Sequence, residues 1–233
     1  LPCHNEPALL TSLAAIDVCD SLYPVEIIVV INASADASEG VKLQNTNTYN
    51  SALEWLRDKK QSNKSFHFIL ENELPKKHAG VGLARKIGMD EAVRMFESID
   101  KPKGVILCFD ADCTCEQNLL TEVCAFFDKN PSSPGCAINF EHPLEGELDV
   151  QVYKAITYYE MHLRYYVDAL KYAGFPYAFQ TIGSSMAVRS SAYQKQGGMN
   201  RRKAGEDFYF LHKIIPLGDF GEVNATAIYP SPR

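Results

Sequence analysis

Two carboxylates follow an apolar run in the middle of the chain. Asp110 and Asp112 come directly after residues 105–109, which are continuously apolar. Such a run is typical of a strand buried on both faces of a parallel sheet, and ligands of open α/β sheets bind beyond the carboxyl ends of the strands. Two carboxylates one residue apart repel each other unless a cation lies between them, and oxygen ligands suit Mg²⁺ or Mn²⁺. The spacing therefore predicts either a metal site or an acidic turn, and it does not choose between them.

A second acidic pair opens a predicted helix in the last part of the chain. Glu206 and Asp207 follow Gly205, and apolar residues continue at helical spacing to Ile215, before Pro216. Acids in the first helical turn are favoured by the helix dipole, which is the structural interpretation. The functional interpretation is that one of them accepts a proton from a reacting hydroxyl. On the residues alone, both interpretations stay open.

Strand and helix patterns alternate through the first part of the chain. Apolar runs predict strands at residues 25–31, 66–70, 105–109 and 135–140. Helices are predicted from Pro7, from a cap at Asn45 or Thr46, from near Gly80, and through residues 119–127. This order predicts an α/β fold with a mostly parallel sheet flanked by helices. Residues 1–140 are expected to form the α/β half, and residues 141–233 a C-terminal α+β half of the same single domain.

The second half begins with a long predicted helix that is rich in tyrosine. Residues 150–173 carry apolar side chains at near-helical spacing and are followed by Gly174, a common helix terminator. Six tyrosines lie in this helix, at positions 153, 158, 159, 165, 166 and 172. We expect most of them to be packing residues, although tyrosine rings at a cleft also stack on sugars.

Composition and charge limit the classes of function. The chain has 233 residues and a formal net charge of −6, so nucleic acid is not expected as a partner. No apolar run is long enough to cross a bilayer and no signal-peptide pattern opens the chain, so we expect no membrane span and a cytoplasmic location. The seven cysteines are odd in number, which favours free buried thiols over a disulfide framework.

Five motifs taken together resemble one enzyme family. In chain order they are Pro2-Cys3-His4-Asn5-Glu6, Asn32-Ala33-Ser34, Gly82-x-x-Arg85, the Asp-x-Asp motif Asp110-Ala111-Asp112, and Gly205-Glu206-Asp207. Their order and spacing resemble glycosyltransferase family 2, whose members transfer sugars from nucleotide-diphosphate donors. The resemblance spans nearly the whole chain. It implies the GT-A fold, with the donor bound by the first half and the acceptor by the second.

The resemblance also implies a role for each motif. The base and ribose of a UDP- or GDP-sugar would be held by the first two motifs, namely by Pro2, Cys3, Asn5, Glu6, Asn32 and Ser34. Arg85, Lys77 or Lys86 would lie near the phosphates. Asp110, Ala111 and Asp112 would contact the donor, and a divalent Mg²⁺ or Mn²⁺ would be bound by Asp110 and more directly by Asp112. Asp207 would be the catalytic base, and Glu206 would support it or bind the acceptor.

The implied reaction moves a sugar to a hydroxyl of an unidentified glycan or small-molecule acceptor, with inversion at the anomeric carbon. A carboxylate helps by accepting the hydroxyl proton, and a metal stabilises the diphosphate leaving group. The alternatives are a retaining transferase of the same fold and a non-catalytic module that binds a sugar nucleotide or glycan. A nucleotidyltransferase is disfavoured, because residues 3–7 contain no Gly, Lys or Arg for a triphosphate.

The chain departs from the family's pattern at several positions. Many relatives have two aspartates after the second strand, where this chain has Ile31-Asn32, so the choice of base stays open. His4 stands at a position that is often Tyr, and the aromatic acceptor motif beyond Asp207 is not evident. His212 is interpreted as structural rather than as a metal ligand. Because the body of the first strand is missing, we expect the sequence to be a piece of a longer protein.

Overall fold

The computed structural model describes residues 1–59 and 62–233. In these ranges the chain forms eight strands and seven α-helices. The strands are β1 Pro2–Cys3, β2 Val25–Ser34, β3 Lys64–Leu74, β4 Val105–Cys108, β5 Thr114–Cys115, β6 Gly135–Phe140, β7 Met186–Arg189 and β8 Gly221–Tyr229. The helices are α1 Leu9–Asp17, α2 Glu39–Arg57, α3 Val81–Ser98, α4 Leu119–Lys129, α5 Val150–Tyr172, α6 Ser190–Lys195 and α7 Glu206–Ile214.

The first three strands form a parallel sheet in the order β1-β2-β3. Strand β2 is its centre, with Cys3 beside Ile31 on one side and Leu70 beside Ile31 on the other. The continuous apolar run of β2 is explained by burial on both faces, because successive side chains point to opposite sides of a sheet. Ile27, Val29 and Ile31 face one core cluster, and the intervening apolar residues face another.

The second sheet is mixed, in the order β4-β7-β6-β8-β5. Only β6 and β8 pair in parallel, while the other three pairings are antiparallel. The α/β class is therefore confirmed, but the parallel arrangement holds for the first sheet and not for the second. A continuous apolar run predicts that a strand is covered on both faces, and this burial is independent of the direction of its neighbours.

Helices cover both faces of the sheets. Helices α1, α2 and α4 pack into a core cluster that also contains residues of both sheets, such as Val29 and Ile138. On the opposite face, α3 packs against β2, and α3, α6 and α7 pack against the second sheet. The strands that follow residue 140 lie in the same sheet as strands that precede it, since β7 lies between β4 and β6. The two halves of the chain are thus interleaved.

Several boundaries differ from the sequence prediction: β2 and β3 continue to Ser34 and Leu74, past the predicted runs 25–31 and 66–70, and α1 begins at Leu9 rather than at Pro7. Helix α2 begins seven residues before Thr46, because Ser38 has the extended backbone of an N-cap and its hydroxyl accepts a hydrogen bond from the Val41 amide. The expected cap, Asn45, instead lies inside the helix and is fully buried. Strand β4 ends at Cys108 rather than at residue 109. The start of α2 is thus marked by its capping serine, which the spacing of the apolar residues does not indicate.

The tyrosines of α5 do not pack as predicted. Five of the six are exposed, and the exposed fraction reaches 74% at Tyr165 and 97% at Tyr172. Val167 is the one fully buried residue of this described helix. Helix α5 thus buries only a narrow apolar stripe, and the rings of these five tyrosines lie on the surface. Among the described helices, none combines the length and the apolar character needed to cross a bilayer.

Candidate functional site

A cleft of about 540 Å³ opens where the carboxyl ends of β1 and β2 meet the end of β4. Eight of the residues predicted from the sequence line it: Pro2, Cys3, Glu6, Asn32, Ser34, Asp110, Ala111 and Asp112. The N-terminal ends of two helices also reach it, at Ser38 before α2 and at Gly80 and Val81 of α3. Helix N-termini carry partial positive charge and unpaired amides, so they favour anionic ligands.

Asn32 presents an unpaired oxygen at the end of β2. Its backbone oxygen accepts hydrogen bonds from His4 Nδ1, at 2.8 Å, and from Asn45 Nδ2, at 2.9 Å. The side-chain oxygen Oδ1 is buried and has no partner among the described residues. Buried polar atoms are normally hydrogen-bonded, so this oxygen is a candidate acceptor for a ligand N–H or O–H.

The loop after β1 is fixed by hydrogen bonds and an ion pair within the protein. Glu6 is buried, and its Oε1 accepts a hydrogen bond from the Ala8 amide at 2.8 Å while its Oε2 pairs with Arg233. Asn5 has a φ of 50°, a left-handed conformation that asparagine tolerates, and its amide donates to Asn45 Oδ1 at 2.9 Å. Asn5 does not line the cleft. Asn45 bonds both to the Asn5 amide and to the Asn32 backbone oxygen, and it therefore connects this loop to the end of β2.

Arg85 lies beneath the cleft and is paired with acids from two distant segments. Only 4% of the residue is exposed. Its Nη2 is 3.0 Å from Asp110 Oδ1, its Nε is 3.4 Å from Glu206 Oε1, and its Nη1 donates to the Gly183 oxygen at 2.7 Å. Burial alone would lower the pKa of Arg85, but the surrounding negative charges, Asp110 foremost, reverse this effect and raise it. The arginine therefore stays charged and joins the β4 end to the start of α7.

Glu206 is as deeply buried as Arg85. It is 3% exposed, and its backbone oxygen accepts a hydrogen bond from Asn200 Nδ2 at 2.7 Å. Burial raises the pKa of Glu206, while the charge of Arg85 opposes this rise. The preceding Gly205 has a φ of 66°, which favours glycine and turns the chain into α7. Glu206 is thus a structural partner of Arg85 and does not line the cleft.

Asp207 is half-buried and lies beside the same arginine. A Cβ added to Gly183 would be 2.8 Å from Arg85 Nη2 and 3.0 Å from Asp207 Oδ2, so both side chains flank this glycine. Asp207 Oδ1 accepts a hydrogen bond from the Phe208 amide at 2.8 Å. Its Oδ2 is therefore the oxygen with capacity for another donor. The structure brings Asp110 together with the distant Glu206-Asp207 pair around Arg85, although Asp207 itself is not among the residues that line the cleft.

The start of α3 packs tightly against the segment before α7. A Cβ at Gly82 would lie 2.3 Å from the Arg202 oxygen and 3.0 Å from Glu206 Cβ. Such distances exclude a side chain, which gives Gly82 of the Gly-x-x-Arg motif a packing role. The close approach also brings Lys203 to the edge of the cleft. Only the basic run at residues 201–203 marks Lys203 in the sequence, and none of the five motifs contains it.

The electrostatics of the cleft favour a cation beside Asp112. Burial raises the pKa of Asp112, Asp110 and Glu6 raise it further, and Arg233 opposes them. Asp110 Oδ1 is buried without a hydrogen bond of good geometry among the described residues. In residues 1–59 and 62–233, however, no group of three or more His, Cys, Asp or Glu side chains could hold a metal ion. A cation here would take its remaining ligands from water or from a bound anion.

Of the other basic and ring residues considered from the sequence, His4 lines the cleft, whereas Lys77, Lys86 and His212 lie outside the lining. Lys86 forms an ion pair with Asp90 at 2.8 Å, one turn along α3. His212 stacks on Phe208 with 4.0 Å between ring centroids, in accord with a structural role. Ala111, by contrast, lines the cleft and its oxygen accepts a hydrogen bond from Ser12 at 2.7 Å, which fixes the Asp-x-Asp backbone to α1.

A second cleft of about 520 Å³ lies beyond β5. It is lined by residues 116–118, by the last part of β8 and by the end of β6, and it contains none of the predicted site residues. The first cleft is therefore the candidate site.

Comparison with known proteins assigns no family to the chain. No protein-family model matches it, and no curated protein gives a significant match.

Proposed function

We propose that this protein is a metal-dependent glycosyltransferase of the family 2 type, with a GT-A fold. It moves a sugar from a UDP- or GDP-sugar to an acceptor hydroxyl with inversion at the anomeric carbon. The observation that carries the proposal is the cleft at the strand ends. Its acids, its unpaired Asn32 oxygen and its two helix N-termini suit a diphosphate-linked nucleotide, and Asp207 lies beside Arg85, the partner of Asp110.

The donor side of the proposal rests on complementary polarity. The base and ribose would contact Pro2, Cys3, Asn32 and Ser34, where Asn32 Oδ1 can accept an N–H of the base. The phosphates would lie toward the N-terminus of α3 and Lys203, which both favour negative charge. Arg85 is too deeply buried to contact a phosphate directly. We therefore assign it the task of holding Asp110 in place beneath the donor.

The residues of the cleft fit a divalent metal that is bound together with the donor. Mg²⁺ usually keeps several waters and takes one or two carboxylates plus substrate phosphates, so a site of two aspartates is sufficient. Asp112 would bind the ion, with Asp110 as its neighbour. When bound, the metal would neutralise the charge that develops on the nucleoside diphosphate as it leaves. Burial raises the pKa of Asp112 first, and the charges of Asp110 and Glu6 raise it further, so a neighbouring cation would stabilise this carboxylate in its charged form.

On the acceptor side, Asp207 has the arrangement of a general base. The Phe208 amide binds Oδ1 and fixes the carboxylate, which leaves Oδ2 to accept the proton of the acceptor hydroxyl. The hydroxyl oxygen then forms the new bond at the anomeric carbon, and the bond to the diphosphate breaks. Gly183 keeps the space beside Oδ2 open, since a Cβ there would be in contact with it.

The test combines donor binding and transfer. UDP- and GDP-sugars are screened by thermal shift with Mn²⁺, Mg²⁺ or EDTA, and the donor that stabilises the protein is then used to search for transfer by mass spectrometry. Asp207→Asn should reduce transfer by at least about a hundredfold, the lower range for a lost general base, while donor binding stays within about twofold. Asp112→Asn should abolish the metal-dependent part of the donor-induced stabilisation.

Asp58→Asn is the matched control. Asp58 is exposed at the far end of α2, about 28 Å from the end that reaches the cleft. It should leave both binding and transfer unchanged. Normal transfer by Asp207→Asn would refute the base assignment, and a retained anomeric configuration in the product would identify a retaining transferase. Donor binding without transfer to any acceptor or to water would identify a non-catalytic module.

A further inference from the structure

Two cysteine thiols are in contact at a place outside the candidate site. Cys19 Sγ and Cys115 Sγ are 3.6 Å apart, although the residues are separated by 96 positions in the chain. Cys19 follows the C-terminal end of α1, and Cys115 is the last residue of β5. Contacts between α1 and β5 hold these two segments together. All seven cysteines are free thiols, so the pair is in its reduced form.

The surroundings of the two sulfurs differ. Cys19 is only 2% exposed, whereas Cys115 is half-buried. The hydrogen bond from Cys115 lowers the pKa of Cys19 against the effect of burial, and the Lys64 ammonium lowers it further. Lys64 is fixed nearby, since its Nζ donates to the Cys19 oxygen at 2.6 Å. The same hydrogen bond raises the pKa of Cys115.

Other buried cysteines lack this environment. Burial raises the pKa of Cys3 and of Cys136 to about 12, so these thiols stay protonated and unreactive at neutral pH. The pKa of Cys19 is instead lowered by the hydrogen bond with Cys115, and its sulfur is in contact with that of the less buried Cys115. A half-buried thiol in contact with a thiol of lowered pKa has the two sulfurs that a reversible disulfide requires.

We propose that Cys19 and Cys115 are a redox-modification site, at which a low-molecular-weight disulfide such as oxidised glutathione converts the two thiols into a reversible intramolecular disulfide. The Cys115 sulfur passes its proton to the Cys19 thiolate across their hydrogen bond, attacks the small disulfide and forms a mixed disulfide, and the proton leaves with the small thiol that is released. The Cys19 thiolate then attacks the Cys115 sulfur and displaces the second small thiol. The protein loses two protons and two electrons, and the small disulfide takes up both pairs to become two thiols.

The bond would connect two segments that lead away from the cleft. Helix α1 follows the loop that contains Glu6, and Cys115 lies three residues after Asp112. Forming the bond requires the sulfurs to move from 3.6 Å to about 2.05 Å. The oxidised form therefore links the C-terminal end of α1 to β5, the strand that follows the Asp-x-Asp motif. This inference is independent of the proposed transferase activity, because the reaction is measured on the thiols themselves.

The test is peptide mapping of the full chain after equilibration in glutathione buffers with an increasing oxidised fraction. Oxidation should produce a peptide pair joined through Cys19 and Cys115, with a loss of two hydrogen masses, and dithiothreitol should reverse it. The closed loop should raise Tm by roughly 5–10 °C, since a disulfide across a long loop restricts the unfolded chain. Cys115→Ser should abolish the linked peptide pair and the Tm rise.

Cys124→Ser is the matched control, because Cys124 is also half-buried but lies on α4. This variant should form the disulfide as the wild type does. The proposal is overturned if the wild type yields no linked Cys19–Cys115 peptides at any glutathione ratio, or if another pairing dominates. Mapping of the wild type alone decides this, so the result does not depend on the folding of any variant.

Discussion

Removing the charge of Arg85 should be among the most costly single changes in this chain. Arg85→Met keeps most of the side-chain volume but leaves Glu206, which is 3% exposed, without the guanidinium 3.4 Å away. Asp110 loses its partner at 3.0 Å, and the Gly183 oxygen loses a donor at 2.7 Å. Breaking a buried ion pair by removing one partner typically costs about 3–5 kcal/mol. That is a large part of the 5–15 kcal/mol of unfolding free energy typical of a domain.

The loss should also depend on pH in a direction that the structure fixes. Burial raises the pKa of Glu206 above its ordinary value of 4.5, and Arg85 opposes that rise. A carboxyl pKa raised by folding contributes stability that is complete below the unfolded value and is lost as pH increases through the folded value. Without Arg85 the folded pKa of Glu206 rises further. The variant should therefore differ least from the wild type near pH 4.5 and most near pH 8.

The assay is equilibrium urea unfolding at a series of pH values, with the slope m compared between variants. Lys86→Met is the control, because its pair with Asp90 lies on the helix surface and should contribute at most about 0.5 kcal/mol. Adding Glu206→Gln to Arg85→Met should recover part of the loss, since the uncompensated charge is removed. A loss below about 1 kcal/mol that is the same at pH 5 and pH 8 would refute the reasoning that assigns Arg85 a buried electrostatic role.

Three further outcomes are expected. Gly82→Ala should lower the unfolding midpoint in urea and weaken donor binding, because the added methyl would lie 2.3 Å from a backbone oxygen. Gly40→Ala is the control, since its Cβ would meet only one atom, at 3.9 Å. This second variant should be neutral or stabilise α2 by up to about 1 kcal/mol. Burial would raise the pKa of Glu160, but hydrogen bonds from His142 and Arg164 lower it overall. The ionised Glu160 therefore stabilises the fold above pH 4.5, and this stabilisation is lost as acid protonates the folded form. Glu160→Gln should make the decrease of Tm at acidic pH less steep. Tyr165→Ser should change the unfolding free energy by less than about 0.5 kcal/mol, whereas Phe210→Ala, at a fully buried position, should cost about 3–5 kcal/mol by calorimetry or urea unfolding.

The strand ends could be predicted because they depend on local patterns. A continuous apolar run such as that of β2 is compatible with few structures other than a strand that is buried on both faces. The polar residue that follows must then lie at the edge of the sheet. Asn32 and Asp112 were found in this way, and both line the cleft. The direction of neighbouring strands could not be found, because β7 reaches β4 through α5 and a long loop whose course leaves no periodic signal.

Exposure of α5 shows a limit of helical spacing. A helix with apolar residues on much of its surface predicts a wide buried stripe, but only Val167 is fully covered in the described chain. The periodicity states which residues share a face, whereas the partner that covers a face is a property of the tertiary structure. Tyrosine is the residue type for which this error is most natural, since its ring packs well and its hydroxyl also suits a surface.

The rest of the site depends on ion pairs and hydrogen bonds between distant segments of the chain. The spacing of residues in the sequence contains no information about which segments form these pairs. The motif Gly82-x-x-Arg85 suggested a residue near the phosphates, yet burial beneath the cleft makes Arg85 the connection between Asp110 and Glu206. Asn45 likewise is a polar helix residue in the sequence and the link between Asn5 and the end of β2 in the structure. Each of these polar side chains is buried at a cost that only its partners offset. A polar residue on the inner face of an amphipathic helix is therefore the signal that could have identified both, because burial obliges such a residue to have partners elsewhere in the chain.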